Sequence, residues 1–205
     1  MKINAIRIYA EVLEQGLDFK EYIKSTGYQG PIYNAYTKKS REGFSSKDSI
    51  IDRIRKTKDI DILISVICGK CEYPLLMVEY STAVPTDDHK MQRSDVYYWS
   101  AVFKCPIMKI SPSNKGMGQD FGGGSKFTDE YEQVVSYNRG AIFYPIAWDC
   151  IAGFDTLPTK ENALSCINYN ASILSILKSL IKVFEQVNSF ENYFDKLRKL
   201  YAIEY

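Results

Sequence analysis

Histidine is almost absent, with His89 the only one in 205 residues. That argues against His-based catalytic triads and excludes metal sites built from several imidazoles. His89 itself reads as a polar group in the first turn of a helix. Cysteine is sparse and odd in number, five residues without framework-like spacing. This points to a reducing, cytosolic setting rather than a disulfide-stapled module. No apolar run reaches the roughly 18–20 residues needed to span a membrane. The opening "MKINAIRIYAEVLEQG" carries acids where a signal peptide would be apolar. An excess of one charge is missing as well: 26 basic and 25 acidic residues leave +1. Composition alone therefore announces no nucleic-acid binder, and any such site needs local clustering. What is present, 45% hydrophobic and 14% aromatic residues, suffices for one substantial core and a single domain over residues 1–205.

Hydrophobic spacing predicts an alternation of helices and strands. Ile6, Tyr9, Ala10, Leu13 and Leu17 recur at intervals of three and four, predicting a helix over 3–24 with Glu11 beside its apolar stripe. "STGYQGP" is turn chemistry, and a basic helix is expected near 46–57. "DIDILISVI" (59–67) and "YPLLMVEYSTAV" (73–84) read as strands, joined by "CGKCE" as a hairpin turn. Thr86 is a good N-cap with Asp87 and Asp88 behind it, opening a helix expected to reach Val102, with Met91, Asp95, Tyr98 and Val102 on one side. "VFKCPIMKIS" and "GAIFYPIAW" predict two more strands, separated by a glycine-rich loop. Two helices close the chain, striped by Ile173, Leu177, Leu180, Phe184 and Val187 and then by Phe190, Tyr193, Leu197 and Leu200.

Local clusters add candidate sites. Residues 37–58, "TKKSREGFSSKDSIIDRIRKTK", hold eight bases against three acids. The plainer reading is a solvated helix flank and loop; the sharper one is a phosphate-contacting face that includes Lys38, Lys39 and Arg41. Gln92 and Arg93, on the helix after the second strand, are candidates for the same contacts. "CGKC" is half of a zinc motif without a second pair, so Cys68 and Cys71 are expected to be two thiols at a turn, without structural zinc. "NKGMGQDFGGGSK" lacks the Gly-Lys-Ser/Thr ending of a P-loop and reads as a loop able to order on DNA. Tyr97, Tyr98 and Trp99 have the chemistry to stack on bases, although helical spacing favours the core.

The sharpest feature is an acid inside an apolar strand. Alternation along "LMVEYS" puts Met77, Glu79 and Ser81 on one face of the strand. A buried carboxylate is costly unless it is paired or binds a cation. Asp61 opens the neighbouring strand, and a short hairpin brings it alongside Glu79. Two carboxylates side by side call for a positive charge between them, and hard oxygen donors suit Mg²⁺. The plainer alternative has Asp59 and Asp61 ending a strand while Glu79 pairs with a basic side chain.

In order and spacing, Glu11, Asp61 and Glu79 resemble the PD-(D/E)XK nuclease superfamily, the restriction-endonuclease-like fold, over roughly residues 3–111. The resemblance implies an α/β fold with an α-β-β-β-α-β core, a mixed central sheet flanked by helices, to which this chain adds C-terminal helices. It implies a Mg²⁺-dependent endonuclease, of the type II restriction enzyme kind or a nuclease domain or subunit of one, that hydrolyses DNA phosphodiester bonds. Asp61 matches the motif's Asp, Glu79 its acid and Glu11 the helix acid, all three on the metal. The motif's "PD" is Ile60-Asp61 here, and its lysine position holds Ser81. In this superfamily that lysine migrates, which makes Lys90 the expected catalytic lysine, with Lys104 and Lys109 next in line. The expected partner is double-stranded DNA, with a homodimer or a partner subunit as further options and no membrane. Ser81 also permits an alternative: a DNA-binding or assembly subunit that keeps the fold without catalysis.

Overall fold

The computed structural model describes residues 1–36, 47–57, 60–80, 95–112, 129–148 and 167–201. Six strands form one mixed sheet: β1 (Ala5–Ala10), β2 (Ile32–Tyr36), β3 (Ile62–Cys68), β4 (Cys71–Tyr80), β5 (Ile107–Pro112) and β6 (Phe143–Trp148). The helices are α1 (Leu13–Ser25), α2 (Ile50–Thr57), α3 (Asp95–Phe103), α4 (Asp129–Asn138), α5 (Ile167–Glu185) and α6 (Phe190–Tyr201). Strand order is β2-β1-β3-β4-β5-β6. β1 is parallel to β2, and β4, β5 and β6 are parallel to one another, while β3 is antiparallel to both β1 and β4. Five strands therefore point the same way, and β3 alone runs against them. The α/β class and the antiparallel hairpin of the two central strands match the sequence reading.

The start of the chain corrects it. The expected helix over 3–24 is a strand followed by a helix. Ile6, Ile8 and Ala10 alternate with Ala5 and Tyr9, and both sets are buried because the sheet is covered on both faces. A doubly buried strand looks apolar throughout, and such a run imitates helical spacing. Leu13 and Leu17, placed on the buried stripe by the sequence, are 59% and 46% exposed. The true inner face of α1 carries Phe19 and Ile23. Glu11 thus follows β1 instead of sitting on a first helix. Strand β2 and helix α4 have no counterpart in the sequence reading.

Two cores sandwich the sheet. On one face Phe19 and Ile23 of α1 meet Ile6, Ile8, Ile62, Ile64, Leu76 and Val78, together with Leu177, Leu180 and Phe184 of α5 and Tyr193 of α6. The stripe on α5 is as expected, whereas on α6 Tyr201 takes the buried place assigned to Leu200, which is exposed. Buried tyrosine hydroxyls need acceptors. The Tyr193 hydroxyl donates to the Leu75 carbonyl at 3.0 Å and that of Tyr201 to the Phe143 carbonyl at 2.6 Å. On the other face Tyr9, Leu63, Met77, Ile107 and Phe143 lie under Ile51 and Ile54 of α2 and Tyr97 and Phe103 of α3. Tyr98 and Val102 turn outward, so that side of α3 is a solvent face. Among the described residues no helix is long and apolar enough to cross a membrane.

Helix α1 approaches β1 closely at Gly16, where an added methyl carbon would stand 2.9 Å from Ala10 Cβ. Gly to Ala within a helix ordinarily stabilises by about 1 kcal/mol. Here the helix must shift away from the sheet to admit the methyl group, at about 1–3 kcal/mol for overpacking. Gly16→Ala is therefore expected to lower the urea midpoint; an unchanged or higher midpoint would show that α1 is not pinned at this point.

Candidate active site

The opposed direction of β3 brings its N-terminus to the carboxyl end of β1 and β4. The last ladder pairs there are Ala10 with Ile62 and Ile62 with Val78. One residue further on each strand stand Glu11, Asp61 and Glu79. The Glu11 backbone amide donates to the Asp61 carbonyl at 2.9 Å. The Tyr80 amide donates to Asp61 Oδ2 at 2.7 Å, so the Asp61 carboxylate turns toward β4 and replaces a ladder carbonyl. On the far side of β4, Glu79 is in register with Lys109 of β5. Partners on neighbouring strands share a face, and the two side chains are only 9% and 5% exposed. The row thus runs across four adjacent strands: Glu11, Asp61, Glu79, Lys109. Beneath it on the same face lies the apolar row of Tyr9, Leu63, Met77 and Ile107.

The three acids named from the sequence therefore stand at the same end of the sheet, on three adjacent strands. Among the described residues no group of three or more His, Cys, Asp and Glu side chains gathers as metal ligands. The Asp61–Glu79 pair alone still fits Mg²⁺ by donor chemistry. Opposed residues on antiparallel strands have Cβ atoms about 4.5–5.5 Å apart, and Mg²⁺ is typically held by one or two carboxylates while it keeps several waters.

Of the lysines named from the sequence, Lys104 is exposed and closes α3 in the left-handed region, φ 49°, away from the sheet row. Lys109 is the one built into the row. Lys90, Gln92, Arg93 and Ser81, like Lys38, Lys39 and Arg41, lie outside the described residues. The described part of the basic cluster is partly engaged with acids: Lys56 meets Asp48 at 3.0 Å and Arg55 meets Asp52 at 3.8 Å.

One polar network on this face escaped the sequence reading. The Glu72 carboxylate accepts from Arg7 Nη1 at 2.7 Å, the Tyr9 hydroxyl at 3.1 Å and Ser65 Oγ at 2.5 Å. The Arg55 guanidinium of α2 lies 4.7 Å over the Tyr9 ring. Burial is the main cause that raises the Tyr9 pKa, and the hydrogen bond to Tyr9 is the main cause that raises that of Arg7. The network ties β1, β3, β4 and α2 together on the side of the Tyr9 row away from the acids. Its signal was the polar alternation of Arg7 and Tyr9 along β1, which a helical reading hides.

No protein-family model, curated protein or solved structure matches the chain.

Because Asp61 Oδ2 is the acceptor for the Tyr80 amide, its role in the fold separates from any role toward a cation. Asp61→Ala leaves that amide without its acceptor and is expected to cost about 1–3 kcal/mol. Asp61→Asn keeps an oxygen in place and is expected to unfold within about 0.5 kcal/mol of the parent chain. Equal stability of the two variants in urea titrations would show that the hydrogen bond contributes nothing to the fold.

Proposed function

We propose that this chain is a Mg²⁺-dependent endonuclease of the restriction-endonuclease-like class, hydrolysing phosphodiester bonds in double-stranded DNA. The observation that carries the reading is the row Asp61–Glu79–Lys109: two carboxylates and a lysine on adjacent strands, with Glu79 and Lys109 in register and largely buried. Its place adds support. In open α/β sheets ligands bind beyond the carboxyl ends of the strands, where the chain's path across the sheet reverses. Here β1 leads outward to β2 on one side and β4 to β5 and β6 on the other.

Asp61 and Glu79 would hold the cation, with Glu11 at the edge of the site. A divalent cation there supplies Lewis-acid polarisation of the scissile phosphate and acidifies a nearby water. The chain's own groups do the rest. Lys109, in register with Glu79 on the next strand, would supply an ammonium to the charge that develops on the phosphoryl oxygens. It thereby fills the part that the family's motif gives to a lysine at the position of Ser81. The Asp61–Tyr80 hydrogen bond orients one carboxylate, and the apolar row beneath keeps water from that side of the acids. Lys38, Lys39, Arg41, Gln92 and Arg93 are proposed to contact DNA phosphates, which position the duplex without reading its sequence.

The same register favours a second reading. A lysine in register with Glu79 would balance its charge without any cation, as a DNA-binding or assembly subunit that has lost catalysis would require.

Plasmid DNA with Mg²⁺, against an EDTA control, separates the two: cleavage is expected, and binding without cleavage would favour the second. Asp61→Asn and Glu79→Gln are expected to reduce cleavage to background while DNA binding persists. Lys109→Met should lose about 100-fold or more in rate. Full activity in Lys109→Met together with inactive Lys90→Ala would return the lysine's role to Lys90. Charge reversal at Lys38, Lys39 and Arg41 should flatten the salt dependence of binding by about one unit for each phosphate no longer neutralised. An unchanged slope would assign that cluster to solvated surface.

A further inference from the structure

The closed end of the β3–β4 hairpin holds a pair of thiols that the nuclease reading does not use. Cys68 and Cys71 are the last ladder pair, directly opposed across the two-residue turn Gly69-Lys70. The turn is held: Gly69 adopts φ 61°, a conformation suited to glycine, and its amide donates to Asn4 Oδ1 at 2.7 Å. Both cysteines are free thiols, Cys71 exposed and Cys68 half-buried. Opposed residues of an antiparallel pair place their Cα atoms about 4.5 or 5.5 Å apart, depending on the type of pair. Both separations fall within the roughly 4.4–6.8 Å that a disulfide spans. Side chains of such a pair leave the same face of the hairpin. Two residues along that face, Tyr73 is fixed by stacking on Phe190 with ring centroids 5.1 Å apart, giving the pair a rigid wall.

We propose that Cys68 and Cys71 form a modification site, a dithiol that closes to a cross-strand disulfide by exchange with a low-molecular-weight disulfide. Cys71, the accessible member, attacks as thiolate: a Cys71–glutathione S–S bond forms, the S–S bond of glutathione disulfide breaks, and one glutathione thiolate leaves. Cys68, as thiolate, then attacks Cys71 Sγ, which forms the Cys68–Cys71 bond and expels the second glutathione thiolate. Two electrons pass from the cysteine pair to the small disulfide, and the two cysteine protons end on the glutathione thiols. Cys105 is wholly buried and takes no part. Seven strand residues at about 3.3 Å each put the thiol pair roughly 23 Å from Asp61 and Glu79, so its chemistry is independent of the proposed cleavage.

The test is peptide mapping of the full chain, in a Cys150→Ser/Cys166→Ser background, equilibrated in glutathione buffers from reduced to oxidised and quenched with N-ethylmaleimide. Cys68 and Cys71 are expected to lose alkylation together and to appear in one peptide two hydrogens lighter than the dithiol, with dithiothreitol restoring both sites. Removing the resolving thiol by Cys68→Ser should make a glutathione adduct at Cys71 accumulate, whereas the chain with both thiols shows none at equilibrium. Persistent glutathione adducts with Cys68 present would overturn the proposal, as would both thiols remaining alkylatable in the most oxidised buffer.

Discussion

Strand β3 is bonded along both edges and buried on both faces, and its direction governs where the chain's polar groups collect. Ile62, Ile64 and Val66 point into one core and Leu63 into the other. Each such side chain contributes about 1.5–3 kcal/mol through burial. This makes the register strict, because a slip of one residue would exchange the two faces. With the register held, the residue before β3 must stand beside the residues that end β1 and β4. That is how Asp61 comes to accept the Tyr80 amide and to receive the Glu11 amide on its carbonyl. The arrangement of acids is a consequence of sheet geometry that apolar side chains enforce.

The charges on this face are expensive, and their distribution is orderly. Desolvated carboxylates and ammonium groups stay in a protein only where opposite charge or donors surround them. Glu72 meets that condition with three donors from three side chains. Glu79 and Lys109, both buried, stand in register on neighbouring strands, beyond an apolar row that separates them from the Glu72 network. One network braces α2 against the sheet through Arg55 and Tyr9. The other lies at the carboxyl ends of β1, β4 and β5.

Particular residues show what could be read without the fold. Asp61 and Glu79 were legible because an acid in a β-branched run breaks the pattern, and a short turn fixes the distance along the hairpin. The α5 stripe was legible because that helix buries one side only. Strand β1 was not, since with both faces buried its Ile6, Tyr9 and Ala10 run on into Leu13 and Leu17 at helical spacing. Its misreading carried Glu11 onto a helix and hid the Arg7–Tyr9 alternation. Lys109 was only one of several lysines until β5 paired with β4. Nothing in "CPIMKI" marks its lysine as the residue that stands opposite Glu79.

The sequence by itself determined the α/β class, the β3–β4 hairpin, the two closing helices and the pair of acids at adjacent strand ends. These follow from periodicity and turn chemistry, which act over a few residues. The tertiary structure alone decided that β1 is a strand between β2 and β3, that Lys109 and not Lys104 stands in the acid row, and that Cys68 and Cys71 are opposed thiols in one ladder pair. Parallel neighbours such as β4 and β5 are joined through a distant connection, and no local spacing encodes which of their residues align. Their register is set by packing both faces of the sheet at once.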